Sequence, residues 1–150
     1  MAPVILVDVN IALHANDESS PRHPAARAWL EGALNGDDEI RFALSSLLGF
    51  LRISTNPAIF ERPLSTSAAF LEVQRWLALP NVGIVSPTDR HWVAFAEIAR
   101  SGQAKGPLLM DAHLAALAIE HGATLATTDR DFSRFPGLRT IDPLSTRPTG

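Results

Sequence analysis

The sequence predicts an α/β fold, a sandwich with helices on both sides of a mostly parallel sheet, and three observations predict it. Short apolar runs alternate with stretches of helical periodicity along the 150 residues. The first run, from Val4 to Val7, is apolar without a break, as strands covered on both faces are, and it ends at Asp8. The third observation is the stretch from Asp111 to Phe132. Leu114, Leu117, Ala118 and Ile119 keep an apolar face at helical spacing, so Asp111 is expected to open a helix that Gly122 stops. Ala123 to Thr128 is then small, apolar and β-branched, too short for another helix and suited to a buried strand that ends at Asp129. In an open parallel sheet a helix leading into a strand starts over the edge where the strands end, so Asp111 and Asp129 are expected at the rim where such folds bind ligands.

The other elements follow in order. Pro24 to Leu34 carries Ala25, Ala28, Trp29 and Ala33 at helical spacing, and Asp37, Asp38 and Glu39 form a solvated turn. Ile40 to Leu44 is a second strand. Ser45 or Ser46 then caps a helix with Leu47, Leu48, Phe50, Leu51 and Ile53, stopped by Asn56 and Pro57. Pro63, Leu64 and Ser65 precede a long helix with Phe70, Val73, Trp76 and Leu77 on its apolar face, ending near Pro80. Val82 to Val85 is a third strand. Pro87, Thr88 and Asp89 start a helix with Trp92, Phe95, Ala96 and Ala99, and Ser101 to Pro107 is a polar loop. Phe132 to Gly137 turns the chain into a last short strand, Leu138 to Ile141. Residues 1–143 are read as one domain and residues 144–150 as a frayed tail, with no internal repeat or linker.

Composition bounds the chemistry. No cysteine is present, so any metal must be held by oxygen or imidazole, which suits a hard cation such as Mg²⁺ or Mn²⁺. The start has no basic leader and too short an apolar run for a signal peptide or a membrane span, so the expectation is a cytoplasmic protein without membrane contact. A net charge of −3 argues against coating nucleic acid through bulk electrostatics and leaves a local basic surface open.

Asp8, Asp111 and Asp129, with Asp131 two residues on, reach one rim from well-separated parts of the chain. Clustered carboxylates raise one another's pKa unless a cation neutralises them, so the cluster points to a bound metal that could polarise a phosphodiester and activate water. Each acid also has a plainer reading: Asp111 as a helix cap, Asp129 and Asp131 as turn formers, Asp8 as the end of a strand. His113 lies on the rim helix, either against a phosphate or as a packed or surface histidine. Arg52 is a phosphate clamp unless one carboxylate holds it structurally. Trp29, Trp76 and Trp92 sit at helical spacings and are expected in the core rather than as base-stacking platforms.

Four motifs carry a resemblance that covers nearly the whole chain: Val-Asp-Val-Asn at 7 to 10, Phe-Leu-Arg-Ile-Ser-Thr-Asn-Pro at 50 to 57, Asp-Ala-His-Leu-Ala at 111 to 115 and Thr-Thr-Asp-Arg-Asp-Phe at 127 to 132. With them the sequence resembles the PIN-domain ribonucleases, and within these the VapC-type toxins of bacterial toxin and antitoxin pairs. The resemblance implies a PIN-like three-layer sandwich with about five strands ordered 3-2-1-4-5, which sets the strands ending in Asp8 and Asp129 side by side. It implies that Asp8, Asp111 and Asp129 are catalytic and hold Mg²⁺ or Mn²⁺, with Asp131 and Asn10 at flanking positions. It implies an RNA substrate, a homodimer and a cognate VapB-like antitoxin that blocks the site. One departure stands out. Many members carry Glu three residues ahead of the Arg of the Phe-Leu-Arg run, and here that position is Gly49, with no other acid between Glu39 and Glu61. Gly49 inside a helix costs about 0.8 to 1 kcal/mol relative to Ala, so local propensity does not account for it.

Two alternatives to the nuclease come from the same residues. A degenerate PIN domain that binds RNA or antitoxin without cutting would explain Gly49. A phosphatase of the haloacid dehalogenase type also places an Asp after the first strand, but it needs a second acid two residues on, where this chain has Asn10, and a late lysine, where Lys105 is the only lysine. A response-regulator receiver fails on the same two points.

Overall fold

The computed structural model describes residues 3–145. Five strands, β1 (Val4–Val7), β2 (Glu39–Ala43), β3 (Val82–Val85), β4 (Thr124–Ala126) and β5 (Thr140–Ile141), form one sheet. The strand order is β3-β2-β1-β4-β5 and every pairing is parallel, as expected. Six helices connect the strands: α1 (Val9–Ala15), α2 (His23–Leu34), α3 (Leu44–Ser54), α4 (Thr66–Leu77), α5 (His91–Ser101) and α6 (Leu108–Glu120). The period-two alternation of β1 divides its side chains between two cores. Ile5 and Val7 join α1 to α4, where Phe42 stacks on Trp76 at 5.2 Å, while Leu6 joins α5, α6 and Leu125 on the other side. The helix layers thus cover both faces of the sheet and leave its C-terminal edge open.

Several boundaries differ from the sequence reading, each for a local reason. Helix α1 was not foreseen: it buries Ile11, Ala12 and Ala15 but spans seven residues, too few for periodicity to register. Helix α3 follows β2 without a loop, so its N-cap is Ala43 rather than Ser45 or Ser46, and Ser46 is buried inside it. Helix α6 starts at Leu108, and Asp111 closes its first turn instead of opening it. The cause is Gly106, whose φ of +59° is a left-handed conformation glycine adopts freely, followed by Pro107 at the N-cap. Helix α2 turns Ala26, Leu30 and Leu34 inward, leaving Ala25 and Ala28 exposed. Trp76 is fully buried, but Trp92 is 76% exposed, because α5 packs on α6 through the side that carries Phe95, Ile98 and Ala99. Strand β4 ends at Ala126, three residues short of Asp129, and a 3-10 turn (Arg130–Arg134) stands where a simple turn was expected. Leu144 packs on the first core, and positions 146–150 of the expected tail lie outside the described residues. Among the described residues no helix is long and apolar enough to cross a membrane.

Candidate active site

The site grows from the junction of β1 and β4. Val7 is in register with Ala126, and the Asp8 amide continues the ladder by donating to the Ala126 carbonyl at 2.9 Å. The next residues on the two strands, Asp8 and Thr127, are therefore neighbours. The Thr127 hydroxyl donates to Asp8 Oδ2 at 2.7 Å and accepts the Asp129 amide at 3.0 Å. One buried hydroxyl thus holds the first carboxylate and starts the turn that carries the third. Thr127 lies inside the last of the four motifs, yet a threonine at a strand end has no signature in sequence that separates this role from β propensity.

Burial raises the Asp8 carboxyl above its ordinary value, Thr127 and the amides of Val9 and Asn10 counter this, and Asp129 adds to the rise. Asp8 is 7% exposed. Asp111 reaches the same rim from the first turn of α6, and its carboxyl is pushed up to about 6 by burial and then by the charges of Asp129, Asp8 and Asp131, with Arg134 opposing. Asp129 caps the 3-10 turn through Oδ1, which accepts the Asp131 amide at 2.9 Å, and Asp131 itself is exposed. The plainer roles considered for Asp129 and Asp8 are thus present, and they coexist with the clustering. None of the four acids takes part in a salt bridge among the described residues.

Asn10 stands in the first turn of α1, and its Oδ1 is buried without a hydrogen-bond partner among the described residues. An orphaned oxygen two residues after Asp8 is the kind of donor a hard cation takes. The fit is one of chemistry rather than of finished geometry: among the described residues no three acid or imidazole side chains converge at ligand spacing. Arg52, in the last turn of α3, is exposed and free of any carboxylate partner among the described residues. A Cβ built on Gly49 would meet only Val9 Cγ2, at 3.7 Å, so position 49 faces the residue next to Asp8.

His113 has the packed role. Its Nδ1 lies 2.9 Å from His91 Nε2, and the other nitrogen of His91 meets Glu120 Oε2, whose partner oxygen accepts from the Thr88 amide and hydroxyl at 3.1 and 2.6 Å. This chain ties α5 to α6. His113 is held below its ordinary pKa by burial and by His91, and a neutral ring is a poor phosphate contact. Burial alone would raise Glu120, but hydrogen bonds from Thr88 and His91 outweigh it and hold the carboxyl below its ordinary value. A depressed folded value gives stability that is present above the unfolded value, near 4.5, and lost as pH falls through the folded one. Glu120→Gln should therefore lower the denaturation midpoint at pH 7 and converge on the parent near pH 3. A constant difference across that range would show that shape, not charge, holds the helices together.

Thr127→Val keeps the volume and removes the hydroxyl. We expect Mn²⁺ affinity to fall several-fold, about 1 kcal/mol for one charge-assisted hydrogen bond, while the circular dichroism spectrum stays unchanged. Unaltered affinity in calorimetry would reduce Thr127 to a strand-end packing residue.

The PIN domain family model matches residues 5–138. The chain is 42% identical over 138 residues to Ribonuclease VapC37 of Mycobacterium tuberculosis, covering 92% of this chain and 96% of that protein. It is 38% identical over 141 residues to Ribonuclease VapC43 of the same organism, covering 94% and 96%. Two solved structures share the fold. VapBC2 from Rickettsia felis bound to a promoter DNA fragment aligns with a TM-score of 0.67 and 16% identity over 92% of this chain and 97% of that one. Mycobacterium tuberculosis VapC20, a sarcin-ricin loop cleaving toxin, aligns at 0.62 with 18% identity over 90% and 98%. With a parallel sheet ordered 3-2-1-4-5, aspartates gathered at its edge and relatives of this identity along almost the whole chain, the protein belongs to the PIN-domain family, among its VapC ribonucleases.

Proposed function

We propose that this chain is a divalent-metal-dependent endoribonuclease that acts as the toxin of a toxin and antitoxin pair. Asp8, Asp111 and Asp129 are its catalytic carboxylates, and Asp131 and Asn10 flank them. The observation that carries the reading is the clustering of four aspartates from three segments of chain at one sheet edge, none of them in a salt bridge among the described residues. Such a cluster is stable as a set of anions only around a cation. Mg²⁺ or Mn²⁺ held there would polarise the scissile phosphodiester and lower the pKa of an attacking water. The protein's own part is positional. Thr127 orients Asp8, the 3-10 turn presents Asp129, and Arg52, exposed and without a carboxylate partner among the described residues, is the candidate clamp for an RNA phosphate. The relatives named ribonucleases and the VapBC neighbour support both the RNA substrate and a VapB-like antitoxin as partner.

The test is cleavage of single-stranded RNA by the purified protein with Mn²⁺, with EDTA, and with Asp129→Asn. Loss of cutting in both arms supports the assignment, and a variant that cuts as fast as the parent identifies a contaminant. Calorimetry against Mn²⁺ runs beside it, and unchanged binding in Asp8→Asn would sink the shared site. Gly49 favours one second reading, a PIN domain that binds RNA without cutting it. RNA binding with no cleavage at any Mn²⁺ concentration would select that reading.

A further inference from the structure

Beside the carboxylates, where β4 and β5 end, lies a groove of about 300 Å³ lined by Thr128, Asp129, Arg130, Ser133, Ile141 and Asp142, among others. Asp129 belongs to both places, so whatever fills the groove is the immediate neighbour of whatever the rim binds. The volume is at the lower end of the range for small-molecule sites, enough for one nucleoside and not for a stacked run.

The lining selects the occupant. Two carboxylates and one guanidinium line it, a net negative charge that disfavours a phosphate. Neither Arg130 nor Asp142 is engaged in a salt bridge among the described residues. Asp142 Oδ1 accepts the Leu144 amide at 3.0 Å, which fixes the side chain, and among the described residues no side-chain hydrogen bond or salt bridge engages Oδ2. Ile141 is 40% exposed and provides an apolar wall. Thr127, also on the lining, is already committed to Asp8 and Asp129, whereas among the described residues no side-chain hydrogen bond commits Thr128 or Ser133. The groove therefore asks for a flat, neutral group with donors for a carboxylate and acceptors for an arginine. In RNA that group is a base. Among the four, guanine offers two adjacent donors, N1–H and the N2 amine, on one edge, and two acceptors, O6 and N7, on the other.

We propose that this groove is a base-recognition subsite, selective for a guanine adjacent to the scissile phosphate, with Asp142 and Arg130 as its specificity-determining residues. The proposal rests on the ribonuclease reading for its biological meaning, but the binding it asserts can be measured without cleavage.

The probes are four RNA trinucleotides that differ only in the central base, UGU, UAU, UCU and UUU, titrated into the isotope-labelled full chain with EDTA present to prevent cutting. UGU should shift the amides of residues 127–133 and 140–142 at a concentration at least tenfold below UUU. Asp142→Asn keeps the Oδ1 acceptor for Leu144 and removes the free anionic oxygen, so it should erase that difference while the rest of the amide spectrum stays in place. Ser133→Ala is a second, milder arm and should weaken UGU binding without changing the order of the bases. Equal binding of all four trinucleotides, or shifts away from the groove, would overturn the proposal. With Mn²⁺ restored, Asp142→Asn should go on cutting RNA but lose its preference for guanine beside the cut. Cleavage with an unchanged preference defeats the guanine subsite and leaves the nuclease reading standing. Selective UGU binding by a protein that never cuts RNA does the reverse.

Discussion

Asp111→Asn should raise the thermal midpoint of the protein in EDTA at pH 7.5 and remove its RNA cleavage. The two effects have one cause. Burial and the charges of Asp129, Asp8 and Asp131 push the Asp111 carboxyl up to about 6 from its ordinary value of 3.8. A group whose folded pKa is raised stabilises the fold fully below its unfolded value and loses that contribution as pH rises through the folded one. At pH 7.5 the metal-free parent carries the whole penalty of an extra anion in the cluster, and Asn, of the same shape and uncharged, carries none. At pH 4 the two proteins should melt together. Saturating Mn²⁺ should reverse the order, because a ligand that binds only the folded state stabilises the parent more than a variant with a weakened site. Cleavage should fall at least about a hundredfold, the scale on which one preorganised charge acts at a reacting phosphate or carbonyl. A variant less stable than the parent at pH 7.5 in EDTA would mean that Asp111 has a structural partner, and the catalytic assignment would lose its main support.

The parts of this site that were legible in the sequence are those that mark ends of elements. Asp8 and Asp129 were placed because an apolar run stops at one and nearly at the other, and the parallel order of the sheet then makes them neighbours. Asp111 was placed on the correct rim with a start three residues late, since the helix begins at the Gly106-Pro107 turn and an acid in the first turn reads like a cap. What stayed hidden depends on contacts between distant residues. The hydrogen bond from Thr127 to Asp8 spans 119 positions. In sequence His113 reads as a candidate phosphate contact, and only its partner His91, across the α5/α6 packing and itself bonded to Glu120, gives it the packed role. Trp92 has the same helical spacing as a core residue, and only the direction from which α6 packs on α5 puts it outside.

Gly49 is the position where the structure decides most against a purely steric account. Glycine inside a helix is required when another backbone or a rigid group sits where a Cβ would be. Here an added Cβ meets only Val9 Cγ2 at 3.7 Å, an ordinary van der Waals contact. Gly49→Ala should therefore fold normally and gain about 0.8 to 1 kcal/mol from helix propensity alone, read as a higher denaturant midpoint with an unchanged slope. Its cleavage rate should match the parent's. A destabilised Ala variant would show that the packing of α3 on α1 needs the glycine after all. Gly49→Glu starts its side chain toward Val9, the neighbour of Asp8, and brings a fifth carboxylate to a rim that already holds four. Without metal the added anion should cancel the propensity gain at pH 7.5, because it meets charges already pressed together. With metal it becomes a donor, and Mn²⁺ affinity should rise about tenfold, equivalent to about 1.4 kcal/mol. The pair of variants separates the causes: Ala changes propensity without charge, and Glu changes both. If Glu fails to tighten Mn²⁺ while Ala stabilises as expected, the rim is already complete with its aspartates and Asn10, and position 49 has no part in holding the ion.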